Sequence, residues 1–370
     1  MEFKTKLKHL SLGLTSTLIL GSLIGCSSAP DAVTFRSDAL HSGVFHQKPL
    51  EELQKLRWKF KTEGAIHATP TIENNIAYVG SHDHFFYAMD LDTGMPKWKF
   101  KADDKISGSA TLVETSVYFG SHDGKLHALD TLNGQTRWSF TANGQIRTAP
   151  AYGDGNIYVT ATDGLLYAIE AKSGNERWRF KTGASIYSSP LAHNGIIYFG
   201  SNDKHLYAVN AQTGQELWRF KTTGIIASSP ALHNETVYIG SDDKHLYAVN
   251  INTGQEAWKL QTQAAVSSSA AVNDERLYIG SKDGRLYAIN TERHQPVWKY
   301  KTNDWITSSP SIVDDMVFFT GQNNMLYAIA IGNGGLKWKF KASGPIQSSP
   351  AMGKKVIVFG ANDGYIYALE

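Results

Sequence analysis

The sequence predicts an all-β protein, an eight-bladed β-propeller whose blades are four-stranded antiparallel sheets. Eight tryptophans recur forty residues apart, and each begins a phrase rich in strand-forming residues and turn signals, best seen from Trp218 to Ala257. A period near forty is typical of a propeller blade. The last repeat lacks one strand and the first has one to spare, which favours a closed ring. We expect eight tryptophans to dock the blades: Trp58, Trp98, Trp138, Trp178, Trp218, Trp258, Trp298 and Trp338.

Composition indicates an ordinary globular chain and argues against nucleic-acid binding. Hydrophobic residues are 42% and charged residues 19% of the 370 residues, and the formal net charge is +2. Residues 1–25 hold three lysines and one glutamate, so the remainder carries a formal charge of 0. A body of this kind has no bulk electrostatic attraction for nucleic acid or acidic membranes.

Residues 1–25 are predicted to be a signal peptide, because three lysines precede the short apolar run Leu10–Leu23. The run leads into Leu23-Ile24-Gly25-Cys26, which resembles the lipobox of bacterial lipoproteins, where the cysteine is acylated. Cys26 is the only cysteine in the chain, so no internal disulfide can form. The alternative is an ordinary signal peptide followed by an incidental cysteine.

The resemblance to lipoproteins implies an address as well as an anchor. Residues 26–34 would be the lipidated cysteine and a tether, and residues 35–55 are a lead-in outside the repeat. Ser27 and Ser28 follow the cysteine, and no aspartate stands at the position after it. By this resemblance, the chain is expected at the outer membrane, facing the periplasm.

The repeat, over residues 56–370, parses into four strands. The outermost strand holds the tryptophan, as in Trp178–Thr182, and the innermost is expected at Ile186–Pro190, where small residues converge on the axis. The second strand is Ile197–Gly200, and the third is Leu206–Val209. Turns carrying Asp-Gly or Thr-Gly separate the strands. Each sheet must be buried by its neighbours.

The two ends of the chain predict how the ring closes. The chain stops at Glu370 after a third strand, whereas Leu56–Thr62 is a tryptophan strand with no three strands before it. Pairing Leu56–Thr62 with Tyr365–Leu369 completes the eighth blade. Closure also removes the open ends that a stack of repeats would have to cap.

The run from Ala208 through Thr213-Gly214 to Trp218 resembles the tryptophan-docking motif of the PQQ-like, or quinoprotein-type, β-propeller family. The lead-in Phe35–Gly43 resembles the segment that often precedes such propellers. This family includes PQQ-dependent dehydrogenases and also cofactor-free lipoproteins of the BamB type, which serve the outer-membrane β-barrel assembly machinery. A lipobox with a lone cysteine and eight bare blades makes the BamB type the nearer resemblance.

An enzymatic function is not expected, and no cofactor is predicted. The dehydrogenases of this family add long pocket-building loops, adjacent cysteines and carboxylates around a calcium ion. Here no repeat carries an insertion, and the single cysteine lies in the predicted anchor. Such uniform loops are too short to enclose a cofactor.

Histidines offer the only indication of a metal. His82 and His122 occupy equivalent turns of adjacent blades, and His84 lies beside them, so three imidazoles can bind zinc if blade spacing allows it. Other repeats place threonine, asparagine, aspartate or lysine at this position. We therefore interpret these histidines as turn residues and predict no metal.

Positions at which the repeat departs from itself indicate the candidate binding surface. The residue after the innermost isoleucine differs among the blades, and so does the position two residues earlier, where one repeat carries Trp305, outside the forty-residue register. An aromatic residue at a funnel rim is a good protein-binding anchor; the alternative is neutral drift at tolerant surface positions. The candidate residues are His67, Arg147, Tyr187, Trp305, Gln347, His82, His84 and His122.

The sequence thus favours a non-enzymatic cell-envelope lipoprotein that acts as a protein-interaction scaffold. The resemblance implies protein partners in the β-barrel assembly machinery and contact with the membrane through the lipid anchor. A module that binds a small molecule or glycan in the funnel is the alternative, and a relative of the PQQ-dependent dehydrogenases is the third hypothesis.

Overall fold

Eight separate sheets of four or five strands make up the part of the chain that the computed structural model describes, residues 32–46, 50–53 and 55–370. The regular elements there are all strands, which confirms the predicted fold. None of the described residues belongs to a helix able to cross a membrane. The predicted signal peptide and Cys26 lie outside the described residues.

The described residues form thirty-three strands, which follow one another in sequence order. The first two are β1 (Ala32–Val33) and β2 (Leu56–Lys61). Blades 1 to 4 consist of β3 (Thr71–Glu73), β4 (Ile76–Gly80), β5 (Phe85–Asp90), β6 (Pro96–Lys101); β7 (Thr111–Val113), β8 (Ser116–Gly120), β9 (Lys125–Asp130), β10 (Thr136–Thr141); β11 (Ala151–Gly153), β12 (Asn156–Thr160), β13 (Leu165–Glu170), β14 (Glu176–Lys181); β15 (Leu191–His193), β16 (Ile196–Gly200), β17 (His205–Asn210) and β18 (Glu216–Lys221). Blades 5 to 8 continue with β19 (Ala231–His233), β20 (Thr236–Gly240), β21 (His245–Asn250), β22 (Glu256–Gln261); β23 (Ala271–Val272), β24 (Arg276–Gly280), β25 (Arg285–Asn290), β26 (Pro296–Lys301); β27 (Ser311–Val313), β28 (Met316–Thr320), β29 (Met325–Ala330), β30 (Leu336–Lys341); β31 (Ala351–Gly353), β32 (Val356–Gly360) and β33 (Tyr365–Leu369).

The ring closes as the sequence predicts. Strand β2 pairs antiparallel with β33, with Trp58 opposite Ala368 and Phe60 opposite Ile366. The order of the eighth sheet is therefore β2-β33-β32-β31, so the first strand of the propeller completes the last blade. This pairing gives β2 a partner strand and completes the pairing of β33 on both sides, and it leaves the ring without an open end.

The hydrophobic core is divided among the eight blade interfaces. Leu206 and Ala208 of blade 4, for example, are fully buried against Val237 and Val249 of blade 5. The second and third strands are buried on both faces because each sheet is covered by a neighbouring sheet on either side. No blade can bury these faces alone.

The prediction for the innermost strand was wrong. Residues 186–190 form no strand, and the innermost strand is the three-residue β15, Leu191–His193. The reason lies in the hydrogen bonds: the Ser188 hydroxyl accepts from the Gly200 amide at 3.0 Å, and the Ser189 amide donates to the Ser229 hydroxyl of the next blade at 3.0 Å. These residues therefore bond to the next strand and the next blade through side chains, instead of forming a ladder.

The serine hydroxyls of this segment link neighbouring blades around the channel. In each link an amide donates to the hydroxyl forty residues further on, at 2.9–3.1 Å. The link from Ser349 to Thr69, at 3.0 Å, passes from blade 8 to blade 1 and so joins the ends of the ring. Among the described residues the series begins at Ala149 and runs through Ser189, Ser229, Ser269, Ser309 and Ser349 to Thr69.

The tryptophans dock the blades from outside. The Trp218 indole N–H of blade 4 donates to the Ile251 carbonyl of blade 5 at 2.8 Å, and its ring covers the turn at Gly254. Gly254 has φ +68°, and a Cβ there would lie 2.7 Å from the ring, so glycine is required on both counts. The same bond is made by Trp58, Trp98, Trp138, Trp178 and Trp298.

The lead-in supplies what the interrupted eighth repeat lacks. Blade 8 has no turn for Trp338, so this indole donates to the carbonyl of Leu50 at 2.8 Å. Earlier in the lead-in, Arg36 is buried and donates to the carbonyls of Ser269 and Pro310 at 3.0 and 2.9 Å. The segment thereby bridges blades 6 and 7 inside the channel.

Strand β1 adds a fifth strand to blade 2. Ala32 and Val33 pair antiparallel with Val113 and Leu112 of β7. The sequence analysis assigns these two residues to a tether, and the structure pairs them with the propeller. Together with bonds from residues 40–45 to blades 5, 6 and 7, this pairing lays the lead-in across the channel.

We predict that Trp218→Ala lowers the free energy of unfolding by about 3 kcal/mol, because it removes the indole hydrogen bond and opens a void between two blades. Trp305→Ala is the matched control, since Trp305 is 54% exposed and lies outside the docking register. Chemical denaturation of both variants tests this. Equal stability of the two variants would contradict the docking role.

We also predict that His127→Tyr stabilises the protein. Other blades carry tyrosine at this position, and the Tyr207 hydroxyl donates to Asp203 at 2.7 Å. His127 is 4% exposed, its Nε2 has no partner, and burial lowers its pKa to about 4. A tyrosine would restore the bond to Asp123, a gain of about 1 kcal/mol at neutral pH.

The advantage of the variant should grow with acidification. A histidine whose folded pKa is depressed contributes its full stability above its unfolded pKa and loses it as the pH falls towards the folded value. The difference in melting temperature between His127→Tyr and the wild type should therefore widen from pH 6.5 to pH 4. A constant difference across that range would show that His127 does not titrate in the expected window.

Candidate functional site

The candidate site is the mouth of the channel, which we define as the eight loops leading into the innermost strands and the eight hairpins between second and third strands. Each leading loop is held by a buried isoleucine or valine, such as Ile106, whose amide donates to the Ser81 carbonyl at 3.0 Å. The residue after it is free of the core. This position holds His67, Ser107, Arg147, Tyr187, Ala227, Ser267, Thr307 and Gln347.

The hairpins bring a second set of side chains to the same mouth. The His82 amide donates to the Ala65 carbonyl of the leading loop at 2.9 Å, which fixes the hairpin beside that loop. The equivalent bond recurs between His122 and Lys105 at 2.8 Å. The constant backbone therefore presents side chains that differ from blade to blade.

Three predicted histidines come together on blades 1 and 2. The ring centroids of His67 and His82 lie 4.1 Å apart, and those of His82 and His122 lie 5.9 Å apart. Ser107 stands between the last two, with its hydroxyl 2.8 Å from each Nε2. The sequence analysis did not single out Ser107, because a serine at a variable position gives no signal until the loops are placed.

Arg147 extends this cluster to blade 3 and beyond. Its Nε–H donates to His122 Nε2 at 3.2 Å, and its guanidinium lies 5.8 Å from the centre of the Tyr187 ring of blade 4. The distance to Tyr187 is typical of a cation held over an aromatic face. We call His67, His82, Ser107, His122, Arg147 and Tyr187, with Lys105 beside them, the cationic sector.

The hydrogen bonds fix the protons of the cluster. Because Arg147 donates to His122 Nε2, this nitrogen is an acceptor, and the Ser107 hydroxyl must donate to it as well. Ser107 has a single proton, so His82 carries a proton on Nε2 and donates to the Ser107 oxygen. The two rings thus differ at Nε2, which carries a proton in His82 and none in His122.

The electrostatics agree with this assignment. Burial, then the proximity of His67 and His122, lowers the pKa of His82 to about 4. Burial, then the guanidinium of Arg147, lowers the pKa of His122 to about 4. Burial also lowers the pKa of His67. At neutral pH the positive charge of this sector therefore comes from Arg147 and Lys105.

The opposite side of the mouth has a different character. Trp305 leads into blade 7, four blades from Arg147, and is 54% exposed. Lys282 Nζ lies 6.0 Å from its ring centre and 3.8 Å from the Asp242 carboxylate, so the lysine is paired. This side offers an aromatic surface with balanced charge.

The two remaining predicted residues stand apart from the cluster. Gln347 is half-buried in the loop leading into blade 8. His84 occupies the corner of the β4–β5 hairpin with φ 75°, the position that Lys204 fills in blade 4. The described residues contain no group of three histidine, cysteine or carboxylate side chains placed to hold a metal ion. The zinc alternative, which needs His84 beside His82 and His122, therefore has no support from the geometry.

A separate cavity of about 300 Å³ lies deeper in the channel, between the lead-in and the innermost strands of blades 7, 8 and 1. Arg36 and Asp38 line part of it. Both are already engaged: Arg36 with backbone carbonyls, and Asp38 with the amides of Leu40 and Ser42. Their bonding indicates a structural role in fixing the lead-in.

Comparison with known proteins agrees with this architecture. The sequence matches the model of one family, described as outer membrane protein assembly factor BamB, over residues 51–149, 136–265 and 242–370. These ranges together cover the whole propeller. None of the proteins with curated descriptions matches the sequence.

Solved structures of several kinds share the fold. BamB from Moraxella catarrhalis superposes with a TM-score of 0.75 at 15% identity, covering 85% of this chain and 99% of that one. The computationally designed Ika8 protein gives 0.75 at 19% identity, over 84% and 97% of the two chains. The quinohemoprotein alcohol dehydrogenase from Comamonas testosteroni gives 0.81 at 13% identity, over 92% and 80%. At these identities the similarity concerns the fold alone.

We predict that Arg147→Ala raises the pKa of His122 from about 4 towards the ordinary histidine value, because a positive charge beside the ring is removed. Histidine ring signals followed by NMR between pH 4 and pH 7 measure this. Lys282→Ala, across the mouth, is the control and should leave His122 unchanged. An unchanged pKa in Arg147→Ala would mean that the guanidinium does not lie against the ring in solution.

Proposed function

Because the chain belongs to the family described as outer membrane protein assembly factor BamB, we propose that it is a non-enzymatic scaffold for protein interactions in the bacterial cell envelope. Its partners would belong to the machinery that assembles β-barrel proteins in the outer membrane. The lipid on Cys26 would hold the propeller at that membrane, facing the periplasm. The propeller would thus present a rigid binding surface at the periplasmic face of the outer membrane.

One observation carries this proposal: a uniform ring presents non-uniform side chains at its mouth. The leading loops and hairpins keep the same length in every blade, while the mouth side chains range from alanine to arginine, tyrosine and tryptophan. Trp305 is exposed although it is a large aromatic residue. Aromatic and arginine side chains are the groups on which protein interfaces most depend.

The donor set at the mouth does not suit the quinone chemistry of the dehydrogenases that share the fold. Those enzymes, by the family resemblance, need carboxylates around a calcium ion. The side chains gathered here are imidazoles, a hydroxyl, a guanidinium and a phenol, and the carboxylate of Asp242 faces Lys282 instead. A cationic cluster of this kind repels a divalent ion.

Site-directed photo-cross-linking in intact cells tests the scaffold proposal. A photoreactive residue in place of Trp305 should capture a component of the β-barrel assembly machinery, because this face would meet the partner. The matched control is a photoreactive residue at Leu132, which is 85% exposed but lies on an outer turn of blade 2. Capture from Trp305 and not from Leu132 is the expected result.

A second control separates the anchor from the interface. Cys26→Ser should release the protein from the membrane fraction and reduce capture through position 305. Equal capture from positions 305 and 132, or capture of no assembly component from either, would overturn the proposal.

A further inference from the structure

We propose that the cationic sector of the mouth is a binding site for an oxyanion, a phosphate or carboxylate group that the guanidinium of Arg147 receives. The inference goes beyond the scaffold function and does not depend on it. It rests on the geometry of Arg147, on the balance of charge around it, and on the contrast with the other side of the mouth.

Arg147 is held in place at one edge and left open at the other. Its Nε–H is bound to His122, and its guanidinium lies over Tyr187. Its two terminal amino groups make no hydrogen bond with the described residues, and the side chain is exposed, so both groups can be reached by a ligand. A guanidinium fixed in this way presents a planar pair of donors, the arrangement that binds carboxylate and phosphate with two parallel hydrogen bonds.

The support beneath Arg147 is itself ordered. His122 is 7% exposed and accepts from both Arg147 and Ser107, and Ser107 in turn accepts from His82. This chain of bonds crosses from blade 3 to blade 1. Because the Arg147 side chain is already restrained, it loses less conformational entropy when a ligand binds than a mobile surface arginine would.

The two cations of this sector form no ion pair. Neither Arg147 nor Lys105 is paired with a carboxylate in the described part of the chain. Asp103 pairs with Lys125 at 2.6 Å, and Asp104, whose carboxylate acts electrostatically on His122, accepts from the backbone amide of Lys105 at 2.7 Å. Two cations against the single carboxylate of Asp104 leave the sector with a net positive charge, which attracts an anion from solution.

The other side of the mouth shows what a compensated sector looks like. There Lys282 lies 3.8 Å from Asp242, which also accepts from the Ser267 hydroxyl at 3.2 Å. In place of the His122–Arg147 pair, blades 5 and 6 thus hold a carboxylate and a serine at the equivalent positions. The repeat can satisfy this position without a free cation, so the free cation on blade 3 is a property of the cationic sector alone.

Titration of the protein with inorganic phosphate tests the proposal. Histidine ring NMR signals of His82 and His122 should shift saturably, and sodium chloride at matched ionic strength should not reproduce the shift. Arg147→Ala should weaken the apparent affinity by about tenfold, the loss expected when a charge-assisted hydrogen-bond pair is removed. Blade 5 carries Ala227 at this position, so the variant should remain folded, which its melting temperature checks.

Arg137→Ala is the matched control. Arg137 is a half-exposed arginine on the outer strand of blade 2, paired with Asp130 at 2.6 Å, and its loss should leave the titration unchanged. A parallel titration with acetate distinguishes the two sources of an oxyanion: the tighter ligand identifies a phosphate or a carboxylate. Shifts that are linear with both anions, or that persist unchanged in Arg147→Ala, would overturn the proposed site whether or not the scaffold proposal holds.

Discussion

The contact between the outer tryptophan of one blade and the turn of the next, which Trp338 replaces with a bond to Leu50, is the constraint on which the ring depends. It ties a strand of one sheet to the glycine turn of another, so a change in repeat length would separate the two. The inner hydroxyl links impose the same forty-residue step on the other side of the sheets. Because each blade is held at its outer edge by a tryptophan contact and at its inner edge by a hydroxyl link, the length of the repeat has little freedom to vary. This explains why repeats differ mainly where neither contact reaches.

Much of the fold follows from the sequence because its signals are local or repeated. Tryptophan spacing predicts the blades, and the unmatched strand Leu56–Thr62 predicts closure against Tyr365–Leu369, which the structure confirms. The innermost strand was misplaced because residues such as Ser188 and Ser189 look like strand residues, yet they form hydrogen bonds with the neighbouring strand and the next blade. No local sequence pattern predicts these bonds. The sequence likewise gives no signal for the docking of Trp338 on Leu50.

The sequence predicts which positions form the candidate site, but it does not predict which of their side chains lie in contact. Variation within the repeat selects His67, Arg147, Tyr187 and Trp305, because packing does not decide these residues. Which of them meet depends on the radius of the ring and the pitch of the loops. The sequence analysis grouped His84 with His82, which their spacing suggests, whereas the ring brings His67 to His82 instead. Ser107 could be recognised only in the structure, where its hydroxyl bridges two imidazoles.

We propose a division of labour, in which packing positions hold the ring and mouth positions carry the function. The most direct test is a variant that gives the cationic sector the residues of other blades: His67→Ala, His82→Asn, His122→Asp and Arg147→Ala, after Ala227, Asn202 and Asp242. Its melting temperature and, by calorimetry, its affinity for inorganic phosphate would both be measured. The division predicts an unchanged melting temperature with loss of phosphate binding. A collapsed fold, or phosphate binding as tight as in the wild type, would contradict it.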